Sequence, residues 1–302
     1  MKIITHDGTF HSDEVFAIAL LKKFTNLSNT EIIRTRDRKV LEEAKKDKDC
    51  YVIDVGEEYN EKYKNFDHHQ KSFSVTWEEP DEENNMILLS SCGLIWHYLK
   101  KKGYLKKLSD NVIKRIENLL IKKIDKHDNG IKKWQLCNMV SMCNREENTI
   151  EDFNQGVDLA KIYLNNLIYQ EKLNDEKYKL FEKDFEKYDN SQIFKSSNAI
   201  KDNRVLNFLS NETNILVMIY PQKDSDNNIS WYAKSIHKYD NNHNLKNALA
   251  PDKYRGLPKE KLKTISGYKQ INFVHRAGFL CGANNEKTII KIAKEMVDNY
   301  NK

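Results

Sequence analysis

The residues best suited to chemistry are histidines and aspartates that recur in four short stretches of the sequence. Asp67, His68 and His69 are consecutive, and two adjacent imidazoles behind a carboxylate are costly to bury unless each ring nitrogen finds a partner. A bound cation would remove this cost. The other three stretches contribute the same ligand types: His6, His11 and Asp13; Asp54; and Asp125 and Asp128. We therefore expect the four stretches to meet at a pair of divalent metal ions.

The mixture of carboxylates and imidazoles favours particular metals. These ligands suit manganese and also accept magnesium, iron or zinc, whereas no thiolate is positioned to select zinc. We expect manganese, with magnesium as the alternative. Two ions about 3.5–4 Å apart need a bridging carboxylate, and Asp54, near the end of a predicted strand, is our choice.

The expected ligands divide between the two ions. One ion is expected to bind His6, His11 and Asp54; the other is expected to bind Asp13, Asp54, His68 and Asp128. Asp67 and His69 are the expected catalytic groups beside them, which orient the ligands or contact a phosphate oxygen. Asp125 stays an alternative to Asp128.

Each of these residues also has an ordinary structural interpretation when it is considered alone. Asp13 could cap a helix, and a lone histidine is more often structural than a ligand. We expect a structural or solvated role for four other histidines: His97, His127, His237 and His243. The order of the four stretches, each at a predicted loop or element end, favours a shared site.

The predicted elements explain how these residues could converge. Strands are predicted over residues 2–5, 31–35 and 50–55, with helices from residue 12 or 13 and over 38–46. This alternation is typical of an open α/β fold, in which ligands bind at the carboxyl ends of parallel strands. Further helices are predicted over 86–103, 110–125, 153–188 and 286–300, and a strand hairpin over 214–220 and 229–235.

Length and composition indicate a soluble protein of two domains. The chain has 302 residues, of which 31% are charged, and a boundary is expected between residues 135 and 200. No run of residues approaches the apolar length of a membrane span. The first residues form a strand rather than a signal or transit segment, so we expect a cytoplasmic protein, with a nuclear location still open. Five scattered cysteines without a C-x-x-C pair indicate reduced thiols.

The formal charge of +5 permits an anionic substrate without demanding nucleic acid. Lysines are interleaved with asparagine and glutamate along the chain, which favours a solvated surface. The basic runs at residues 100–102 and 106–107 remain candidates for contacts with a phosphate backbone.

The same stretches, together with others along the chain, resemble the MYG1 family. The resemblance is carried by residues 5–14, 33–37, 54–56, 63–70, 89–94, 125–130, 255–257, 266–267 and 273–279. That family is similar to the DHH phosphoesterases, which comprise RecJ-like nucleases, oligoribonucleases and family II pyrophosphatases. The resemblance implies manganese-dependent 3′-to-5′ exonuclease action on RNA or short oligonucleotides.

The resemblance also implies a domain arrangement. It implies a DHH phosphoesterase-like catalytic domain with a parallel sheet flanked by helices over residues 1–150. A helical connector over 151–200 and a smaller α/β substrate-binding domain over 201–302 are expected to follow, with the active site in the cleft. The chain departs from the family pattern at Lys126 and Cys281, and a Cys-Pro-Trp motif has no clear counterpart near residues 206–211.

Basic residues and glycine-rich turns supply the expected substrate contacts. Arg34 and Arg36 could clamp a phosphate near the first domain, or could form structural ion pairs. In the second domain we expect His275, Arg276 and the Gly278 backbone to hold a phosphate or a terminal nucleotide, with help from Arg255 and with Phe273 or Phe279 as a stacking candidate. The alternative is a core strand at residues 273–274 and a plain turn at Gly278.

Two further functions remain open. A hydrolase of small phosphoesters or phosphoanhydrides, such as pyrophosphate, would use the same metal site with a different second domain. A non-catalytic protein with structural metals, or a hydrolase of another bond type, is the other alternative. Retention of every carboxylate and imidazole that two cations need argues against an inactive site. The oligomeric state stays open.

Overall fold

The computed structural model describes residues 1–80, 83–239, 245–246 and 248–302. The chain divides into two compact units, Met1–Lys172 and Leu173–Lys302. The division falls inside one long helix, whereas the expected catalytic domain ends at residue 150. Each unit is described by itself below.

The first unit is built on a five-stranded sheet. Its strands are β1 (Lys2–Thr5), β2 (Ile32–Arg34), β3 (Cys50–Ile53), β4 (Tyr59–Asn60) and β5 (Asn65–Phe66). Their order is β2-β1-β3-β5-β4, and all neighbours are parallel except β4 and β5. The predicted strands over residues 2–5, 31–35 and 50–55 are confirmed. The two-residue strands β4 and β5 are too short to show an alternating pattern, so the sequence did not predict them.

Helices cover both faces of this sheet. They are α1 (Ser12–Phe24), α2 (Arg38–Ala44), α3 (Ser91–Lys101), α4 (Asp110–Ile116), α5 (Lys122–Asp128), α6 (Gln135–Ser141) and α7 (Ile150–Phe185). One turn of π-helix, Glu117–Ile121, joins α4 to α5. The prediction of a helix over 86–103 is wrong at its start, because residues before Ser91 are extended and Trp77 N donates to Ile87 O at 3.0 Å.

The sheet of the first unit has a buried cluster on each face, because successive side chains along a strand point to opposite faces. Ile3, Ile53 and Phe66 are buried in one cluster with residues of α1 and α3. Ile4 and Val52 are buried on the other face, in a cluster with residues of α2. A sheet that is covered on both faces needs apolar residues at successive positions, which is the pattern of a buried parallel sheet.

The strand order explains why distant residues meet. β1, β3 and β5 are parallel neighbours, so their carboxyl ends lie along one edge of the sheet. After β1 the chain adds β2 on one side and then β3 on the other, which creates a topological switch point between β1 and β3. His6, Asp54 and Asp67 directly follow β1, β3 and β5.

The second unit contains a separate five-stranded sheet. Its order is β11-β12-β8-β7-β6, antiparallel except for β6 and β7, and β9 pairs with β10 apart from it. These strands are β6 (Ile193–Lys195), β7 (Val217–Lys223), β8 (Ile229–Ser235), β9 (Lys238–Tyr239), β10 (Leu245–Lys246), β11 (Ile271–Val274) and β12 (Leu280–Ala283). The helices are α8 (Asn203–Asn211), α9 (Lys259–Ser266) and α10 (Glu286–Tyr300).

Several predictions about the second unit are confirmed. The hairpin predicted over 214–220 and 229–235 is β7 and β8, and the C-terminal helix is α10. The region expected to be a helical connector contains most of α7, but it also contains β6, which pairs with β7. Long-range pairing of this kind is not visible in a three-residue segment of sequence.

Candidate metal centre

His6 is the first residue after β1, and its side chain is buried. Its Nδ1 lies 2.9 Å from the carbonyl oxygen of Asp7. Its Nε2 lies 3.0 Å from Oε1 of Glu14 and 3.5 Å from Oδ2 of Asp54. The ring is therefore held on one side by backbone, and its other nitrogen points at two carboxylates.

Asp54 closes β3 in an unusual backbone conformation. Its φ is +59°, in the left-handed region that residues other than glycine seldom adopt and that often marks a functional site. Ser91 Oγ lies 3.0 Å from Asp54 Oδ1, and Asp54 N donates to Phe66 O at 3.1 Å. These bonds hold a nearly fully buried carboxylate between β1 and β5.

His68 connects Asp54 to two further carboxylates. Its Nε2 lies 3.3 Å from Oδ1 of Asp54, 3.3 Å from Oδ2 of Asp128 and 3.8 Å from Oδ2 of Asp13. Asp13 lies in the first turn of α1, and Asp128 is the last residue of α5. Two helices thus deliver carboxylates to the sheet edge that carries the histidines.

The potential ligands form three overlapping groups. In each group the ligand atoms all lie within 4.8 Å of one another: His6, His11, Glu14 and Asp54; Asp54, His68 and His69; Asp13, His68 and Asp128. Asp54 and His68 each belong to two groups. The structure thus brings together every residue that the sequence analysis selected as a metal ligand, with Asp54 at the centre.

Several buried polar atoms in this cluster have no hydrogen-bond partner among the described residues. Both carboxylate oxygens of Asp13, Oε2 of Glu14 and Nε2 of His68 are buried without a hydrogen bond from any described residue. Buried polar atoms are nearly always paired, so unpaired ones need a specific explanation. Divalent cations would supply the missing partners, and the carboxylate and imidazole donors fit them.

The electrostatics of the cluster favour proton uptake when no cation is bound. Burial and the nearby Asp128 and Asp54 raise the pKa of Asp13 well above its usual range. Burial alone would lower the pKa of His6, but its contacts with Asp54 and Glu14 raise it to about 10. Like charges crowded in a buried site disfavour ionisation, and a cation reverses this preference.

Asp67 and His69 form a pair beside the cluster. Asp67 Oδ1 lies 2.7 Å from Nδ1 of His69, and Asp67 Oδ2 accepts from Glu57 N at 2.6 Å. A carboxylate can only accept, so Nδ1 carries the hydrogen and Nε2 stays available. The hydrogen bond to Asp67 raises the pKa of His69 to about 9 despite partial burial.

An open pocket lies next to this cluster. It encloses about 790 Å³, and its lining includes His6, His11, Asp54, Asp67 and His69, as well as the cations Arg36, Arg38 and Lys45. Lys45 is paired with Glu42 at 2.6 Å, and the exposed Arg36 lies 3.4 Å from Asp7. Three of the six expected metal ligands and one expected phosphate-binding residue, Arg36, thus line the same pocket.

Asp125 lies outside the three groups of potential ligands. It is fully buried, and its oxygens accept hydrogen bonds from Trp77 Nε1 at 2.7 Å, Ser90 Oγ at 2.6 Å, and the backbone nitrogens of Ser90 and Gly93 at 3.1 Å. All of its oxygen atoms are therefore occupied by donors of the protein. Of the two alternatives, the structure brings Asp128 to the cluster.

Sequence reasoning missed two residues of the cluster. Glu14 Oε1 accepts from His11 N at 2.8 Å and also lies near His6, and Ser91 contacts Asp54. The signal for Glu14 was its position three residues after His11, the residue that precedes α1, because this spacing is that of a capping box. No local pattern identifies Ser91.

Arg34 contacts backbone rather than carboxylates. Its Nε donates to His6 O at 3.2 Å and Nη1 donates to Asn148 O at 2.9 Å, while Nη2 donates to Gly8 O. These bonds fix the loop between β1 and α1. A role for Arg34 in binding phosphate stays a prediction.

The substrate residues expected in the second unit lie around the turn between β11 and β12. Arg255 donates to the carbonyl oxygens of Ala250 and Ala248 at 2.8 and 2.7 Å. His275 and Arg276 are exposed, and Gly278 has a φ of +73°. A Cβ at Gly278 would lie 2.5 Å from Nε of Arg255, so glycine is required where the turn meets this side chain. Their role in binding substrate stays a prediction.

Three of the other four histidines lie outside the cluster. The ring of His97 lies 4.7 Å from that of Trp77, and Nδ1 of His127 accepts from Trp134 N at 3.0 Å. His237 is exposed. His243 lies outside the described residues.

Comparisons with known proteins agree over most of the chain. The sequence profile of the MYG1_exonuc family, described as Uncharacterised protein family (UPF0160), matches residues 2–297. The chain is 27% identical to the MYG1 protein of Dictyostelium discoideum over 97% of this chain and 95% of that protein. It is 28% identical to the MYG1 exonuclease of Homo sapiens over 97% of this chain and 85% of that protein.

Other matches cover a smaller part of the chain or have low identity and low structural similarity. The MYG1 protein of Chlamydia trachomatis is 38% identical, but the alignment spans 42% of this chain and 37% of that protein. The pGpG-specific phosphodiesterase PggH from Vibrio cholerae is 12% identical with a TM-score of 0.28, covering 99% of this chain and 98% of that one. RecJ from Thermus thermophilus in complex with Mn²⁺ is 10% identical with a TM-score of 0.26, covering 99% and 52%. TM-scores this low do not establish a shared fold.

In the part of the chain that the structure describes, no helix is both long enough and apolar enough to cross a bilayer.

Proposed function

Because the chain belongs to the MYG1_exonuc family, we propose that it is a metal-dependent hydrolase of phosphodiester bonds that acts as an exonuclease on RNA. The observation that carries the proposal is the cluster around Asp54, where four carboxylates and four imidazoles approach one another. Relatives named MYG1 exonuclease in Homo sapiens and Mus musculus support exonuclease action.

The ligands divide between two cations in this proposal. The first binds His6, His11 and Asp54; the second binds Asp13, Asp54, His68 and Asp128. Glu14 joins the first group, since its Oε1 lies 3.0 Å from His6 and its Oε2 has no partner among the described residues. Manganese is the favoured metal, because it accepts both carboxylate and imidazole ligands.

Hydrolysis of a phosphodiester would need few groups besides these metal ligands. Two bound cations would lower the pKa of a coordinated water and neutralise charge on the phosphoryl oxygens. Asp67 accepts from Nδ1 of His69 and raises the pKa of His69 to about 9, so the ring is cationic near neutral pH and its Nε2–H can donate a proton to a phosphate or leaving-group oxygen in the pocket. Arg36 and Arg38 line the same pocket and contribute positive charge for further phosphates.

The proposal is tested with 3′-labelled and 5′-labelled RNA, single-stranded DNA and pyrophosphate, each incubated with Mn²⁺, Mg²⁺ or a chelator. We expect Mn²⁺-dependent release of mononucleotides from the 3′ end of RNA and no turnover in chelator. Turnover of pyrophosphate or a dinucleotide without turnover of longer RNA would instead favour a hydrolase of small phosphoesters, for which a pocket of about 790 Å³ is large enough.

Two matched variants distinguish the loss of a metal ligand from a general effect of substitution on the fold. Asp54→Asn removes the shared carboxylate and should lower the rate by at least about a thousandfold, with reduced metal content. Asp226→Asn changes an exposed aspartate of the second unit in the same way and should keep wild-type activity. Wild-type activity in Asp54→Asn, or full turnover in chelator, would contradict the proposal.

A further inference from the structure

A second pocket in the first unit is strongly basic. It encloses about 500 Å³, and five lysines line it: Lys122, Lys123, Lys126, Lys132 and Lys133. Glu79 is the one carboxylate among its described lining residues. Lys122, Lys123 and Lys126 belong to α5, and the other two follow that helix.

Four of the five lysines have no carboxylate partner among the described residues. The Nζ atoms of Lys122 and Lys123 lie over the rings of Trp77 and Trp134, at 5.0 and 5.4 Å from the ring centroids. Neither forms an ion pair with a described residue, and the same holds for the exposed Lys132 and Lys133. Like charges that share a small pocket repel one another, so the arrangement favours an anionic ligand.

The pocket and the candidate metal centre lie on different faces of α5. Successive residues of a helix are rotated by about 100°. Lys122 and Lys126 are four residues apart and share one face, whereas Asp128, the residue of α5 that reaches the cluster, is two residues after Lys126 and rotated from it by about 200°. The pocket is therefore separate from the cluster around Asp54, although one helix carries residues of both.

The segment after α5 is held firmly to the helix. Ile131 N donates to Lys126 O at 2.9 Å, and Trp134 N donates to His127 Nδ1 at 3.0 Å. The half-buried Trp134 ring also packs edge-on against Tyr163, with ring centroids 6.3 Å apart. An aromatic surface is thus fixed beside the lysines.

We propose that this basic pocket binds the single-stranded nucleic acid substrate at a site outside the reaction centre. The lysines contact successive phosphates, and the Trp134 ring stacks on an unpaired base. A duplex would not expose a base for this contact. The inference rests on the proposed function and extends it, because it makes a strand several nucleotides long the preferred substrate.

The test compares two pairs of exposed lysines. Lys132→Gln/Lys133→Gln removes two charges from the pocket. Lys46→Gln/Lys48→Gln removes two exposed charges elsewhere in the same unit and is the matched control. Affinity for a fluorescein-labelled single-stranded RNA 20-mer is measured by anisotropy in EDTA, which prevents turnover, over a series of salt concentrations.

We expect the pocket variant to bind the 20-mer about tenfold more weakly than wild type at low salt, and the control to bind nearly as wild type. The slope of log Kd against log salt concentration should also fall by about 1.4, because two phosphate contacts are lost at about 0.7 each. Wild-type affinity and slope in the pocket variant would overturn the inference.

Turnover of a labelled dinucleotide separates this inference from the proposed function. A dinucleotide that occupies the reaction centre is too short to span both sites, so the pocket variant should cleave it at the wild-type rate. An equal loss on the dinucleotide and the 20-mer would contradict a separate binding site. If wild-type protein cleaves no phosphodiester at all, the proposed function fails, while the anisotropy result still decides the binding site.

Discussion

At the scale of single residues, the candidate metal centre contains groups whose burial is unfavourable unless a ligand is bound. Asp13, Asp54 and Asp128 all approach His68, and both oxygens of Asp13 lack a partner among the described residues. Burying several carboxylates with so few donors costs free energy. The protein accepts this cost at a place where cations would compensate it.

Glu14→Gln tests the residue that sequence reasoning missed. The substitution keeps an oxygen that can accept from His11 N, but it removes the negative charge beside His6. We expect the affinity for Mn²⁺ to fall by about tenfold to a hundredfold, as for other residues that support metal ligands. Competition with a fluorescent chelator measures it. Glu147→Gln, at an exposed position, is the control, and equal affinities in the two variants would refute the role of Glu14.

Asp125→Asn tests the buried carboxylate that lies outside the three groups of potential metal ligands. Burial raises the pKa of Asp125 to about 7, against 3.8 for the ordinary side chain. A raised carboxyl pKa in the folded state contributes stability that is fully present below pH 3.8 and is lost as pH rises through about 7. The variant has no group that titrates here, so its unfolding free energy should depend less on pH between 4 and 7.

Urea unfolding in EDTA from pH 4 to 8 measures this difference. The variant should also be less stable by about 1–3 kcal/mol, because its amide cannot accept from all the donors around Asp125. Parallel pH profiles for wild type and variant would show that Asp125 does not titrate in this range.

At the scale of elements, the start of α3 holds two acidic residues in place. Ser90 and Gly93 donate to Asp125, and Ser91 contacts Asp54. The π-helical turn between α4 and α5 precedes the segment that carries Asp125 and Asp128. Such turns are often found at functional sites.

The contacts of Ser90, Ser91 and Gly93 show that the Ser-Ser-Cys-Gly stretch positions carboxylates without performing chemistry itself.

Gly93→Ala tests this contact. A glycine-to-alanine change inside a helix ordinarily stabilises it by up to about 1 kcal/mol. Here the new Cβ would lie 2.4 Å from Oδ2 of Asp125 and 2.9 Å from Cδ2 of Leu89, so we expect a loss of about 1–3 kcal/mol in unfolding free energy. Gly156→Ala in α7 is the control, since its nearest contact is a ring carbon of Phe10 at 3.1 Å. A smaller loss in Gly93→Ala than in the control would contradict the packing argument.

At the scale of the whole molecule, all eight potential metal ligands found among the described residues belong to the first unit. Binding of cations should therefore stabilise that unit in particular. Three of the four tryptophans, Trp77, Trp96 and Trp134, lie in it, and Trp231 lies in the second unit. Fluorescence of a Trp231→Phe protein thus reports on the first unit alone.

Mn²⁺ should stabilise this fluorescence-detected transition. At a concentration one hundred times its Kd, a ligand that binds only the folded state adds about 2.7 kcal/mol. We expect a gain of this size in denaturant unfolding of the Trp231→Phe protein, and a much smaller gain when Asp54→Asn is added. An identical gain in both proteins would place the stabilising cation away from Asp54.

Much of the first unit could be predicted because its signals are local. The strands over 2–5 and 50–55 and the helix beginning at residue 12 show in the spacing of apolar residues. The two-residue strand β5 could not be predicted, yet it places Asp67 and His68 beside β3. A segment this short carries no periodicity, and only its neighbours define it.

The sequence by itself determined which ligand types are present, their order along the chain and the elements that carry most of them. Only the tertiary structure decided that Asp128 rather than Asp125 reaches His68, that Glu14 joins the group, and that Arg34 contacts backbone carbonyls. The physical reason is that these two kinds of information act over different distances along the chain. Residue type and periodicity are local properties, whereas distances between side chains on β1, β3, β5, α1 and α5 depend on how the whole unit packs.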